Sequence, residues 1–187
     1  TNALDSFRLN YSLDYFHYTL SYYDRAGRVL RTVPPAGVQF LDASLTAVKN
    51  RQVHPAHTLV TEYEYNALNQ LIRTKSPDGG EEKYFYNRVG QIRFKQTAEL
   101  AASNAYVYNK YDALGRTTEK GRSTLNGAGG AFAANVENTT YPSGGSSETE
   151  KTFVVYSTPS GVSYSATRPQ RYTLNRISYT YNDKDGN

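Results

Sequence analysis

Five times in this chain an aromatic-flanked stretch ends in Tyr followed by Asp or Asn: Tyr23-Asp24, Tyr65-Asn66, Tyr86-Asn87, Tyr111-Asp112 and Tyr181-Asn182. The anchors at 23, 65 and 86 are 42 and then 21 residues apart, and 42 is twice 21, so a unit of about that length is reiterated. A repeat of this size is one supersecondary piece that cannot bury its own apolar face and stacks on its neighbours. The chain therefore reads as a scaffold before it reads as a catalyst.

The agreement extends beyond the anchors. Gly27 and Asn69 fall four residues after their tyrosines, Val29 and Leu71 six after, Pro35 and Pro77 twelve after, Gly37 and Gly79 fourteen after. The third and fourth units keep the front half, with Gly90 and Gly115 in the place of Gly27, and their back halves drift. Each front half reads as a β-hairpin. Tyr63 and Tyr65, Tyr84 and Tyr86, and Tyr179 and Tyr181 are two apart, so on a strand each pair projects to one face. The Asx after the tyrosine can bond back to the turn backbone, and the Gly or Asn four after the tyrosine tolerates a left-handed conformation. The expected geometry is a type I turn closing in a glycine bulge. The last anchor differs, because Asn182-Asp183-Lys184-Asp185-Gly186 is one residue longer before its glycine.

Between the hairpins the punctuation is explicit. Pro34-Pro35-Ala36-Gly37 ends the first, and Ser76-Pro77-Asp78-Gly79-Gly80 joins the second to the third. Leu41, Leu45 and Val48, with Asp42 or Ser44 available as caps, predict a short amphipathic helix over 42–51 packed against the hairpins. Residues 96–104 suit a helical turn, and His54-Pro55-Ala56-His57 a loop. Residues 20–122 hold the clearest repeats. From 121 to 147 the composition turns to Gly, Ser, Asn and Ala, an irregular excursion, and residues 151–187 return to strands and a truncated final repeat. The fold class is all-β, a tandem hairpin array with one short inserted helix.

Composition narrows the function. The 187 residues contain no Cys and no Met, and 18 are Tyr. Thiol chemistry and cysteine metal clusters are thereby excluded, and the missing Met suggests a fragment or a processed product. No apolar run of membrane-spanning length and no signal peptide occur, so membrane insertion is not expected. The net charge is +4, but its signs are interleaved: 6 basic and 4 acidic side chains in 1–60, 10 and 8 in 61–122, 5 and 5 in 123–187. Nucleic acid needs a concentrated basic stripe and is not an expected partner.

Single chemistry-bearing residues give weak signals. His54 and His57 lack a third metal ligand at suitable spacing, and His17 lies in a strand pattern. No Gly-x-Ser-x-Gly elbow marks a nucleophile, and Gly127–Gly130 lacks the Lys-Ser/Thr of a phosphate cradle. Asn10-Tyr11-Ser12 and Asn138-Thr139-Thr140 fit the short glycosylation sequon. Asp24 and Asp112 are accounted for by their places at turn starts. Arg28 and Arg116 are placed to pair with acids across the hairpin. No catalytic residue, metal or cofactor is expected. Rows of tyrosine keep glycan binding open as an alternative, in which the array would be a surface adhesin.

The text YYDRAGRVLRTVPPAG, YEYNALNQLIRTKSPDG, YFYNRVGQIRF and KYDALGRTTEKG resembles the RHS or YD-repeat family of bacterial proteins. The wording of the first two units is most similar to members from bacteria that export cargo by the type IX route. The resemblance implies hairpins joined edge to edge into a sheet that spirals into a hollow shell, which in many members encloses a toxic C-terminal domain. The family's self-cleaving aspartate motif and any toxin domain are not among these residues. The chain is then expected to be a piece of wall from a secreted or cell-surface protein. Its partners would be the neighbouring repeats, an enclosed effector domain and export machinery.

Overall fold

The structure is a computed structural model, and it describes residues 18–42, 44–124, 133–143, 147–157 and 174–183. Ten strands lie in one antiparallel sheet whose order is the chain order: β1 (Leu20–Tyr23), β2 (Val29–Val33), β3 (Thr61–Tyr65), β4 (Leu71–Ser76), β5 (Gly80–Tyr86), β6 (Ile92–Gln96), β7 (Ala105–Tyr111), β8 (Thr117–Thr124), β9 (Ser147–Tyr156) and β10 (Ile177–Asp183). Chain-order pairing is what tandem hairpins produce, since each unit offers its free strand to the next. The protein is all-β, as its repeats predict. The chain divides into two compact units, Thr1–Glu62 and Tyr63–Asn187.

In the first unit β1 and β2 pair with a register slip between Tyr22 and Tyr23, and β2 pairs with the start of β3 through Arg31–Glu62 and Thr32–Thr61. Among the described residues Val33 is buried there, at 1% exposure. Pro35–Gly37 closes the hairpin as one 3-10 turn. The helix expected over 42–51 shrinks to a single turn, α1 (Thr46–Lys49), which buries none of its residues, and Leu45 at its N-cap has an exposed side chain. Asp42 bonds the Ser44 amide instead of capping. Ten residues hold too few hydrogen bonds to offset helix nucleation without a packed face, and three apolar residues at four and three do not supply one.

In the second unit the β4–β5 joint is the expected turn, with the Gly79 amide on Ser76 Oγ at 2.9 Å. A helical turn does form after β6, α2 (Ala98–Ala102), capped by Thr97, whose side chain accepts from the Leu100 amide, and anchored by buried Leu100. Register slips recur beside Tyr86 in the β5–β6 pairing and beside Tyr111 in the β7–β8 pairing. The core is aromatic: Phe94, Tyr106 and Tyr108 are buried, and Phe85, Val136 and Tyr141 pack on them. Gly121 lies opposite Tyr108, and a Cβ there would sit 2.7 Å from the phenol oxygen, so glycine makes room for the ring.

Candidate functional site

The sequence places its recurring residues at the corners of the hairpins, and the first four corners share one construction. The Asx amide donates to the carbonyl four residues on: Asp24 to Arg28, Asn66 to Gln70, Asn87 to Gln91 and Asp112 to Arg116, at 2.9–3.0 Å. The residue three after the Asx donates back to the Asx carbonyl, and it holds a positive φ in all four: Gly27 79°, Asn69 62°, Gly90 84° and Gly115 78°. Those positions need glycine or asparagine because an L side chain is strained there. The Asx Oδ1 also takes main-chain amides, those of Ala26 and Arg28, of Leu68 and Gln70, of Gln91, and of Leu114 and Arg116.

Each corner has a matched side-chain pair. The aspartates take arginine, with Arg28 Nε 2.6 Å from Asp24 Oδ2 and Arg116 Nε 2.7 Å from Asp112 Oδ2. The asparagines take glutamine, with Asn66 Nδ2 2.7 Å from Gln70 Oε1 and Asn87 Nδ2 3.0 Å from Gln91 Oε1. Arg28 and Arg116 thus pair with the acid that faces them across the mouth of their own hairpin, where the turn already brings the two side chains together. Amides from the turn, first that of Arg28 and first that of Arg116, hold the Asp24 and Asp112 carboxyls below the usual range.

In the second unit the corners also bond to one another. The Tyr86 hydroxyl donates to the Leu71 carbonyl at 2.8 Å, and the Tyr111 hydroxyl to the Ile92 carbonyl at 2.8 Å. Each anchor tyrosine thus reaches back to the residue six after the preceding anchor. In the other direction Gln91 Nε2 donates to the Gly115 carbonyl at 2.9 Å, and Gln70 Nε2 stands 3.2 Å from where a Cβ on Gly90 would lie. The tyrosine is required for its oxygen as well as its ring.

A fifth corner joins β9 to β10, and it is split. Tyr156 pairs with Ile177 as Tyr86 pairs with Ile92. Ser157 takes the Asx place, donating its amide to the Arg176 carbonyl at 3.2 Å, while its Oγ accepts the amide of Asn175, whose φ is 58°. Arg116 reaches this corner, with Nη1 3.4 Å from Asn175 Oδ1 and its guanidinium 4.3 Å from the Tyr156 ring. Sequence reading missed it because residues 158–173 separate its halves, although Leu174-Asn175-Arg176 repeats Leu68-Asn69-Gln70. Tyr181 and Asn182, read as the last anchor, lie within β10 opposite Phe153 and Thr152, so Asn182 opens no turn among the described residues. Positions 184–187, with the rest of that expected turn, lie outside the described residues.

The second feature missed is Arg93, buried to 3% exposure. Its guanidinium donates to four carbonyls: Asn109 at 2.7 Å, Asn138 at 2.7 Å, Tyr141 at 2.8 Å and Val136 at 3.2 Å. It thereby fastens the 133–143 strap over the aromatic core. Burial pushes its pKa down, with Tyr111 and Glu137 opposing. Glu137 ties the same strap to the third corner through the Arg88 amide at 2.6 Å. Nothing in the local sequence QIRF announces partners more than 40 residues away.

His54 and His57 lie in the expected loop, and among the described residues no group of three or more His, Cys, Asp or Glu could hold a metal ion. No helix among them is long and apolar enough to cross a membrane. His17, Asn10-Tyr11-Ser12 and Gly127–Gly130 lie outside the described residues. Asn138 uses its side chain locally, accepting from Thr140. Tyr63, Tyr65, Tyr84 and Tyr86 are half-buried. Tyr181, 49% exposed, has Phe153 stacked on it at 4.7 Å and Tyr179 beside it at 6.2 Å.

No protein-family model matches the chain. It is 28% identical over 116 residues to Salivary gland surface protein 1 of Aedes aegypti, a match covering 60% of this chain and 3% of that protein. Among solved structures it is similar to a chain of TcdB2-TccC3-Cdc42, with a TM-score of 0.42 and 15% identity, over 74% of this chain and 5% of that one. A chain of TcdB2-TccC3-TEV gives a TM-score of 0.36 and 15% identity, over 87% and 8%. The chain spans under a tenth of the length of each.

Proposed function

We propose that this chain is a non-enzymatic wall segment of a larger RHS-type protein, and that its hairpins extend a β-shell which encloses or presents another polypeptide. The observation that carries this reading is the corner-to-corner bonding of the second unit, in which Tyr86 and Tyr111 reach back and Gln91 reaches forward. Bonds of that kind make each hairpin the template for its neighbour and satisfy polar groups that a lone hairpin leaves to water. A sheet lengthened in this way also covers its own strand edges, which otherwise invite association. The enclosed partner on this reading is an effector domain encoded downstream, the protein is secreted or held at the cell surface, and export is by the type IX route.

The test uses the full-length protein. Its gene is expected to continue the Tyr-Asx spacing beyond this chain and to encode a compact domain after the repeats. Limited proteolysis of the intact protein should spare that domain, and proteolysis after mild unfolding should cut it. A full-length gene with no further repeats and no downstream domain overturns the reading.

A further inference from the structure

We propose that the tips of the second unit's corners form an apolar row on which a second copy of this chain seats its own row, the two copies related by a two-fold axis. The wall reading concerns the side edges of the sheet and this surface lies at the strand ends, so neither depends on the other.

Four side chains make the row: Leu68 at 72% exposure, Val89 at 72%, Leu114 at 70% and Leu174 at 78%. Among the described residues these are the four most exposed large apolar side chains, and each immediately precedes the left-handed residue of its corner. A single exposed leucine is ordinary on a protein surface, whereas a contiguous apolar row marks a contact. The turn does not ask for them. Its bonds run through the Asx and the main chain, a type I turn accepts most residues at this position, and the first unit has Ala26 there. All four corners lie at one end of the sheet, because they close successive hairpins of an antiparallel sheet in chain order. With strands about 4.8 Å apart, successive tips stand about 9.6 Å apart. Bonds between corners hold that spacing, from Gln91 to the Gly115 carbonyl at 2.9 Å and from Arg116 to Asn175 at 3.4 Å. A row set in advance loses little freedom on docking.

Period and charge select the occupant. A helix repeats every 5.4 Å or so and one face of a strand about every 6.8 Å, so both fall out of step with the tips. A second row of the same corners matches at every tip. Beside Val89 stands a pair of both signs, Arg88 with its side chain 84% exposed and Glu137 with 47%, 3.4 Å apart. The fourth corner adds Asp112 and Arg116, again of both signs. A two-fold axis sets Arg88 of one copy toward Glu137 of the other and the reverse, which is how a patch becomes complementary to itself. Four aliphatic tips are few beside the roughly 20–30 residues a side of a stable interface. The pairing is therefore weak in solution.

Analytical ultracentrifugation of the 187-residue chain over a wide range of concentration decides the matter. A reversible monomer–dimer equilibrium is expected, with a Kd of roughly 0.1 mM. The double variant Leu68→Asn with Leu114→Asn puts polar residues that turns accept at two tips, and it should weaken the dimer about tenfold or more while keeping its urea midpoint. If that variant loses its fold, Arg88→Glu is read in its place, since it sets a second acid against Glu137 across the axis and should weaken the dimer too. Three outcomes overturn the proposal: a monomer at every concentration, a dimer unchanged in the folded variant, or a monomer that floats with phosphatidylcholine vesicles. The second outcome assigns pairing to the sheet edges, and the third assigns the tips to lipid. None of the three touches the wall reading, which stands or falls on the full-length gene.

Discussion

Gln91, which accepts through Oε1 from Asn87 in its own corner, donates through Nε2 to the main-chain carbonyl of Gly115, 24 residues further along the chain, at 2.9 Å. The same Nε2 would stand 3.0 Å from a Cβ on Gly115, whose φ is 78°. Gly115→Ala should therefore destabilise by about 1–2 kcal/mol from the left-handed backbone alone, with a further loss from displacing Gln91. In a Gln91→Ala background the cost should fall to the backbone part. Urea midpoints of the double-mutant cycle measure the difference.

The anchor hydroxyls are open to a conservative change. Tyr86→Phe and Tyr111→Phe keep the rings and remove the bonds to the Leu71 and Ile92 carbonyls. Each should cost about 1 kcal/mol in chemical denaturation. Ile92 O keeps Asn109 Nδ2 at 3.0 Å, so Tyr111→Phe should be the milder of the two.

Arg93→Met retains bulk and removes every donor from the Asn109, Val136, Asn138 and Tyr141 carbonyls. Destabilisation of about 3 kcal/mol or more is expected, and early proteolytic cleavage should concentrate in 133–143. Arg93→Lys should recover only part of the loss, since an ammonium cannot span four carbonyls from one point.

Acid should act on the aspartate corners and spare the amide ones. The folded pKa values of Asp24 and Asp112 lie below the usual 3.8, chiefly through the Arg28 and Arg116 amides respectively. Their contribution is complete above that value and is lost as pH falls through the lower folded values. Asp112→Asn should flatten the acid limb of the stability curve, as seen by circular dichroism at fixed urea.

At the alkaline end, burial first and then the Glu82 bond push Tyr84 up to about 12 from its ordinary 10.0. A raised folded value means its contribution is whole below 10.0 and is lost as pH rises toward 12. Absorbance titration should show Tyr84→Phe removing a late phenolate step.

The corners are legible in the sequence because their bonds are local. Asp24, Asn66, Asn87 and Asp112 find every turn partner within four residues, so residue type and spacing carry the geometry. The tyrosine is legible as an anchor, but its hydroxyl's task is not, since the acceptors of Tyr86 and Tyr111 are 15 and 19 residues away. The corner at Tyr156-Ser157 and Asn175-Arg176 is hidden by the insertion between its halves, and the repeat-like Tyr181-Asn182 imitates it from inside a strand. The stretch 42–51 shows the converse error, in which apolar spacing imitates a helix face but only one turn forms and none of its residues is fully buried.

Residue order alone makes this protein an array of hairpins bent at Tyr-Asx corners, because left-handed residues, side-chain turns and period-two tyrosines act over a few residues. How one corner holds the next, where Arg93 sends its donors and why Gly121 is a glycine emerge only once the chain has folded. Those outcomes depend on atoms brought together from distant segments, and no local pattern encodes a distance between them.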